Sequence, residues 1–200
     1  MSEGFLLVVS GPSGSGKGTI CKELLKRNQE LIFSVSATTR KPRYGEKEGI
    51  NYFFIDEEKF KNMIEKNEFI EYAKVHNNYY GTPKSFVLDQ IHKGKTVLLE
   101  IDVQGALQVK KLYPKAVSIF LLPPSMKELK NRIVKRGTET KEDINIRYKN
   151  AFKELKSIEE YDYYIINDSV IEAVEKVEAV ITAEKLKVKR HKDILNEIIL

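Results

Sequence analysis

The chain has 200 residues, 42% of them hydrophobic and 32% charged, which excludes both a disordered and a membrane-embedded protein by composition. That length suits one domain with small excursions, burying roughly 70% of the surface exposed when unfolded. The net charge of +5 points to an anionic partner, but the basic excess sits in residues 125–157 and 185–200, leaving the rest slightly acidic.

In chain order, Gly4 to Ser10 (GFLLVVS) is a short aliphatic run and reads as a fully buried parallel strand. Its apolar part, Phe5 to Val9, is too short for a signal-peptide core or a membrane span. Gly11 to Gly18 is a glycine-rich loop, and Thr19 to Arg27 has helical periodicity, with Ile20, Leu24 and Leu25 on one face. Residues 34–83 change character, being rich in Thr, Tyr, Phe, Gly and Asn. A short helix around Asp56 to Lys66 is expected there, with Asp56 as N-cap. Lys84 to Lys93 is predicted helical and stopped by Gly94. Thr96 to Ile101 is a second buried strand, Gln104 to Leu112 a helix, and Ala116 to Leu122 a third strand ended by Pro123-Pro124. Two charged helices, Ser125 to Arg136 and Lys141 to Ser157, flank a Gly137-Thr138-Glu139-Thr140 turn. Tyr163 to Ile166 is a fourth buried strand, and a helix from about Ile171 to Lys189 leads into a basic tail. The predicted fold is α/β: a doubly wound parallel sheet (1–33, 84–124 and 158–200) with a small mixed α/β insertion (34–83) and a helical lid (125–157).

The loop Gly11-Pro12-Ser13-Gly14-Ser15-Gly16-Lys17-Gly18-Thr19 fits the first seven positions of the phosphate-binding pattern GxxxxGK. Glycines let consecutive N–H groups turn inward around a phosphate, and the following helix presents its N-terminus to the same anion. Lys17 is expected at the β- and γ-phosphates of a nucleotide. The strand–loop–helix context is the required one. The pattern departs in one place: Gly18 stands where Ser or Thr usually ligates magnesium, and Thr19 follows.

A second anion site is suggested by Arg40 and Arg43, three apart in a polar segment stiffened by Pro42, with Glu46, Tyr52 and Tyr80 in the same insertion. Guanidinium forks suit bidentate contact with phosphate, and tyrosine hydroxyls can donate to it. On residues alone, a solvated basic loop beside core aromatics stays an open alternative. Arg132 and Arg136 share a helix face, and with Arg147 on the next helix they suit a lid over a transferring phosphoryl group.

The strings SVSATTRKPRYGEKEGINYFF, NEFIEY, NYYGTP, LEIDVQGA and RGTET, following the glycine loop in that order, resemble guanylate kinases over about residues 4–185. The resemblance implies a P-loop kinase that phosphorylates GMP with ATP and Mg2+. It assigns Ser36, Glu71 and Thr82 to the guanine, Arg40, Arg43, Tyr52 and Tyr80 to the GMP phosphate, and Glu46 to their support. Asp102 falls near GMP and, through water, magnesium. Thr19 falls to magnesium or phosphate, Asn167 to the adenine side, and Arg132, Arg136 and Arg147 to the lid. The base chemistry agrees: guanine offers N1–H and N2–H2 donors that one carboxylate can accept together, and an O6 acceptor for a hydroxyl. Adenine lacks the N1–H.

Two other readings are weighed: a guanylate-kinase-like binding module without catalysis, against which the intact Lys17 speaks, and a kinase of another phosphorylated acceptor, which needs no guanine reader. No membrane or nucleic-acid partner is expected, and the sequence leaves monomer or homo-oligomer open. With a single cysteine, Cys21, no intramolecular disulfide is available, so a reducing, cytoplasmic home is the expectation. Cys21 itself reads as core packing. His76, His92 and His191 lack metal-ligand spacing.

Overall fold

A computed structural model describes residues 4–75, 77–135, 141–191 and 198–199. Arg136, the Gly137–Thr140 turn and His76 lie outside the described residues. In chain order the elements are β1 (Phe5–Ser10), α1 (Lys17–Arg27), β2 (Leu31–Phe33), β3 (Ala37–Thr38), β4 (Phe53–Phe54), α2 (Glu57–Glu65), β5 (Phe69–Val75) and β6 (Asn78–Pro83). They continue as α3 (Lys84–His92), β7 (Thr96–Glu100), α4 (Val103–Leu112), β8 (Val117–Leu122), α5 (Met126–Lys135), α6 (Lys141–Glu154), β9 (Tyr163–Ile166) and α7 (Val170–Lys185).

The core is a five-stranded, all-parallel sheet in the order β2-β7-β1-β8-β9. The four expected strands are there, but Tyr163–Ile166 is a half-exposed edge rather than a buried strand, with Tyr164 and Ile166 turned to solvent, and Leu31–Phe33 adds a fifth at the other edge. Three residues are too few for periodicity to reveal a strand. Alternation along β1 sorts the side chains onto two faces. Phe5, Leu7 and Val9 pack with Ile20, Cys21 and Leu24 of α1 and Val174, Val177 and Ile181 of α7. Leu6 and Val8 pack on the opposite face with Val87 of α3 and Ala106 and Val109 of α4. Helices on both faces explain why these strands are continuously apolar. Cys21 is buried as core, and burial pushes its thiol pKa up.

The insertion forms its own four-stranded sheet, β4-β3-β6-β5, with β3 and β4 parallel and the other pairings antiparallel. Phe60 of α2 anchors it, stacking on Phe69 at 4.5 Å and on Tyr79 at 5.3 Å. Asp56 caps α2 as expected, its carboxylate accepting from the Lys59 N–H at 2.7 Å. Ile70 of β5 reaches into the α3/α4 face of the core and ties the two sheets together.

Several helix bounds differ from the expectation. The α1 helix begins at Lys17, because its N-cap Gly16 takes the left-handed conformation (φ 94°). After Glu154, α6 tightens into a 3-10 turn over Leu155–Glu160. The last helix ends at Lys185, and the chain turns back. The cause is Glu184, 1% exposed, which accepts from the Tyr163 hydroxyl at 2.6 Å and from Arg190 at 2.9 Å. Arg190 thereby lies over the Phe5 ring at 4.3 Å, so the start of the basic tail is docked on the core. Leu186 to Lys189, between these anchors, stay exposed.

Candidate functional site

The parallel register brings the C-terminal ends of β1, β7 and β8 to one edge of the sheet, opposing Val9 to Glu100 and Ser10 to Phe120. That edge is where open α/β sheets bind ligands. A cleft of about 590 Å³ opens there, between the glycine loop, the second sheet and α6.

The loop from Gly11 to Gly16 is shaped by contacts that only glycine tolerates. Gly11 has φ +144°, and a Cβ there would sit 2.3 Å from the Leu121 carbonyl oxygen. A Cβ on Gly16 would sit 2.3 Å from Asn167 Nδ2. That amide is itself a brace: Asn167, 3% exposed at the end of β9, donates to the Ser15 carbonyl at 2.8 Å. Lys17 Nζ donates to the Gly11 carbonyl at 2.6 Å and the Pro12 carbonyl at 3.2 Å, so its ammonium lies over the loop. Ser13, also in the loop, meets α6 twice. Arg147 Nη1 donates to its hydroxyl at 3.4 Å, and its backbone N–H donates to the Glu154 carboxylate. Burial raises the Glu154 pKa.

Across the cleft, Arg40 and Glu46 form a two-pronged ion pair at 2.8 and 2.9 Å. Glu46 also accepts from the Arg43 N–H at 2.7 Å, which folds the loop between the arginines around one carboxylate. The hydrogen bond from Arg40 holds Glu46 below the usual carboxylate range. Arg40 also lies over the Tyr52 ring at 5.3 Å, and Tyr52 meets Tyr80 edge-on at 5.9 Å. Burial, then the nearby Glu100, raises the Tyr52 pKa, which keeps its hydroxyl a donor.

Deeper in, Glu71 is 5% exposed, and one carboxylate oxygen accepts from the fully buried Thr82 hydroxyl at 2.6 Å. Burial pushes the Glu71 pKa up to about 7, against the opposing pull of the Thr82 hydrogen bond. Asp102, following β7, caps α4 by accepting from the Gly105 N–H at 2.8 Å.

Of the residues expected from sequence, Gly11, Ser13, Lys17, Ser36, Arg43, Tyr52, Glu71, Tyr80, Asp102 and Arg147 line this one cleft. Thr82 stands behind Glu71, and Arg40 and Glu46 stand behind Arg43 and Tyr52 as supports. Arg132 lies against the glycine loop rather than on the cleft wall, donating to Glu128 at 2.9 Å and to the Asn167 carbonyl at 3.1 Å, with Nη1 3.9 Å from where a Gly16 Cβ would sit. Thr19 is exposed on the first turn of α1. Sequence reasoning missed Glu100, Lys153 and Glu154, which line the cleft. Glu100 lies against Gly18, whose Cβ would be 3.4 Å from its Oε1. Two residues before Asp102 on a buried strand, it was detectable as the charge that breaks the run Thr96 to Leu99.

The site thus offers a backbone cradle for a polyphosphate and, facing it, an arginine–tyrosine cluster above a buried carboxylate. With the 2-3-1-4-5 order of parallel strands counted along the chain, this defines a P-loop kinase acting on a small phosphorylated acceptor. The guanylate kinase family model matches residues 4–184. The guanylate kinase of Clostridioides difficile is 57% identical over 197 residues, covering 98% of this chain and 96% of that protein. That of Clostridium tetani is 58% identical over 193 residues, covering 96% and 92%. The crystal structure of the guanylate kinase from Anaplasma phagocytophilum superposes with a TM-score of 0.80 at 37% identity, covering 95% of this chain and 90% of that one. The chain belongs to the guanylate kinase family.

Proposed function

We propose that the protein transfers the γ-phosphoryl group of ATP to GMP, giving ADP and GDP, and that dGMP also serves as acceptor. The observation that carries this reading is the joint presence, in one cleft, of Lys17 with its glycine loop and of the Glu71–Thr82 pair. Ionised Glu71 accepts from guanine N1–H and N2–H2, and Ser36 donates to O6. Arg40, Arg43, Tyr52 and Tyr80 hold the GMP phosphate. One of its oxygens, already anionic, attacks the γ-phosphorus in line while the bond to the β–γ bridging oxygen breaks and ADP departs. No side-chain base is required. The loop N–H groups and Lys17 hold the donor phosphates, and Arg132, Arg136 and Arg147 neutralise the transferring group as the lid shuts out water. Asn167 bounds the adenine side as well as bracing the loop.

Magnesium fits this donor set. Glu100 and Asp102 offer carboxylate oxygens on the cleft wall, and among the described residues no cage of three or more acidic, His or Cys groups exists. That suits an ion held through water and nucleotide phosphates, with Thr19 as a further oxygen. When bound, Mg2+ neutralises the donor phosphates. We assign residues 1–33, 84–124 and 158–200 to a core, 34–83 to a GMP lobe and 125–157 to a lid, with lobe and lid closing on the two nucleotides. The reaction would serve purine nucleotide recycling and GTP supply in the cytoplasm. Among the described residues, no helix is long and apolar enough to cross a membrane.

A coupled ADP-release assay with ATP and Mg2+ tests the reading, using GMP, AMP, CMP, UMP and a ribose bisphosphate as separate acceptors. Turnover with GMP far above the rest is expected. Faster turnover with another acceptor would discard the guanine assignment, and no turnover from protein that binds GMP would point to a binding module.

A further inference from the structure

We infer that Gly105, in the first turn of α4, is a positioning residue for the Glu71 carboxylate and thereby sets the preference for guanine. The inference rests on the reading of Glu71 as the guanine acceptor. Glycine inside a helix is disfavoured relative to alanine, because it loses more backbone freedom on folding. The backbone does not demand it here, since Gly105 is outside the left-handed region that glycines 11, 14, 16, 45, 49 and 94 occupy. Space does demand it. A Cβ on Gly105 would lie 2.6 Å from Glu71 Oε2 and 3.2 Å from Glu71 Cδ.

The carboxylate has little room to give way. Its other oxygen is tied to Thr82 at 2.6 Å, and both residues are buried. The helix is fixed as well. Asp102 caps it through the Gly105 N–H at 2.8 Å, and Gln108 clasps the Tyr72 backbone beside Glu71, donating to its carbonyl at 2.9 Å and accepting from its N–H at 3.4 Å. Ile70, on the other side of Glu71, is locked in the core with Ala106. A methyl group at position 105 therefore displaces the carboxylate and leaves the two elements in register. The displaced group cannot face both guanine donors at once. Absence of a side chain at this position is what lets Glu71 lie against the first turn of α4 with its acceptor edge open to the cleft.

Steady-state kinetics with ATP, Mg2+ and either GMP or IMP tests this. IMP keeps the N1–H and O6 but lacks the 2-amino group, so the GMP-to-IMP preference reads the second hydrogen bond. Gly105→Ala is expected to raise KM for GMP by about 10- to 100-fold, the scale of a misplaced binding group, with KM for ATP unchanged and the GMP-to-IMP preference reduced. In a Glu71→Gln background the same substitution is expected to add little. Unchanged KM for GMP, a parallel rise in KM for ATP, or an undiminished effect in the Glu71→Gln background would overturn the inference. Glu71→Gln alone separates the two ideas. If it leaves KM for GMP unchanged, the guanine reading falls and takes the inference with it; if it raises KM while Gly105→Ala does not, only the inference falls. Should Gly105→Ala fail to fold, Gly105→Ala/Glu71→Asp decides, because the shorter side chain makes room for the methyl: recovered folding supports the steric contact with Glu71, and no recovery overturns it.

Discussion

The two halves of the cleft are built in opposite ways. On the donor side the site is backbone, shaped by glycines 11 and 16 against the Leu121 carbonyl and the Asn167 amide. On the acceptor side it is side chain: Arg40 is held by Glu46, Glu71 by Thr82, and the arginine lies over Tyr52. A backbone site is specified by what is absent, namely Cβ atoms, and its disruption strains the fold. A side-chain site is specified by mutual restraint, so its disruption changes affinity, selectivity and pH dependence before it changes the fold. Gly105 joins the two styles, since an absent side chain there serves a side-chain site.

Substitutions on each side should separate these behaviours. The largest effect is expected from Lys17→Ala, the one side chain of the donor cradle that adds charge. It should lower kcat/KM by at least about 10³-fold in the coupled assay, with the thermal midpoint nearly unchanged. Next, Gly16→Ala should lower stability by about 1–3 kcal/mol from backbone strain alone, with the clash against Asn167 added to it, read by denaturant unfolding.

The acceptor side should instead show its carboxylate in the pH profile of stability. In the fold Glu71 has its pKa raised to about 7 from the ordinary 4.5. As pH rises through that window, the unfolded chain gives up its proton while the folded one keeps it, so stability falls with pH, by roughly 3 kcal/mol from this group. Glu71→Gln should remove that slope in urea titrations of the ligand-free protein, and an unchanged slope would contradict the burial argument. The smallest effect is expected at Asp56→Ala, away from both halves. Loss of the α2 cap should cost about 1 kcal/mol with kinetics unaltered.

The fold was legible because the three central parallel strands, β1, β7 and β8, are buried on both faces and announce themselves as apolar runs. Leu31–Phe33 escaped because a three-residue edge strand carries no period. The donor loop was legible because glycine spacing encodes backbone shape directly. The acceptor residues were legible individually by type, and as a set mainly through family resemblance. Sequence spacing could not settle that Glu71 faces Thr82, because the β5–β6 hairpin shifts register between Phe69 and Tyr72, nor that Glu100 at the end of β7 lies against Gly18 on the first turn of α1. Arg132 shows the limit clearly. Its helix face was predictable, but its bond to the Asn167 carbonyl depends on how α5 packs on α6 and the glycine loop, next to the residue that follows β9.

The central claim is that a buried carboxylate reads guanine, and calorimetric titration of GMP against pH tests it most directly. The bound state requires ionised Glu71, so wild-type affinity should fall as pH drops through 7, more steeply than in Glu71→Gln, where only the GMP phosphate and other groups titrate. Parallel pH profiles for the two proteins would contradict the account.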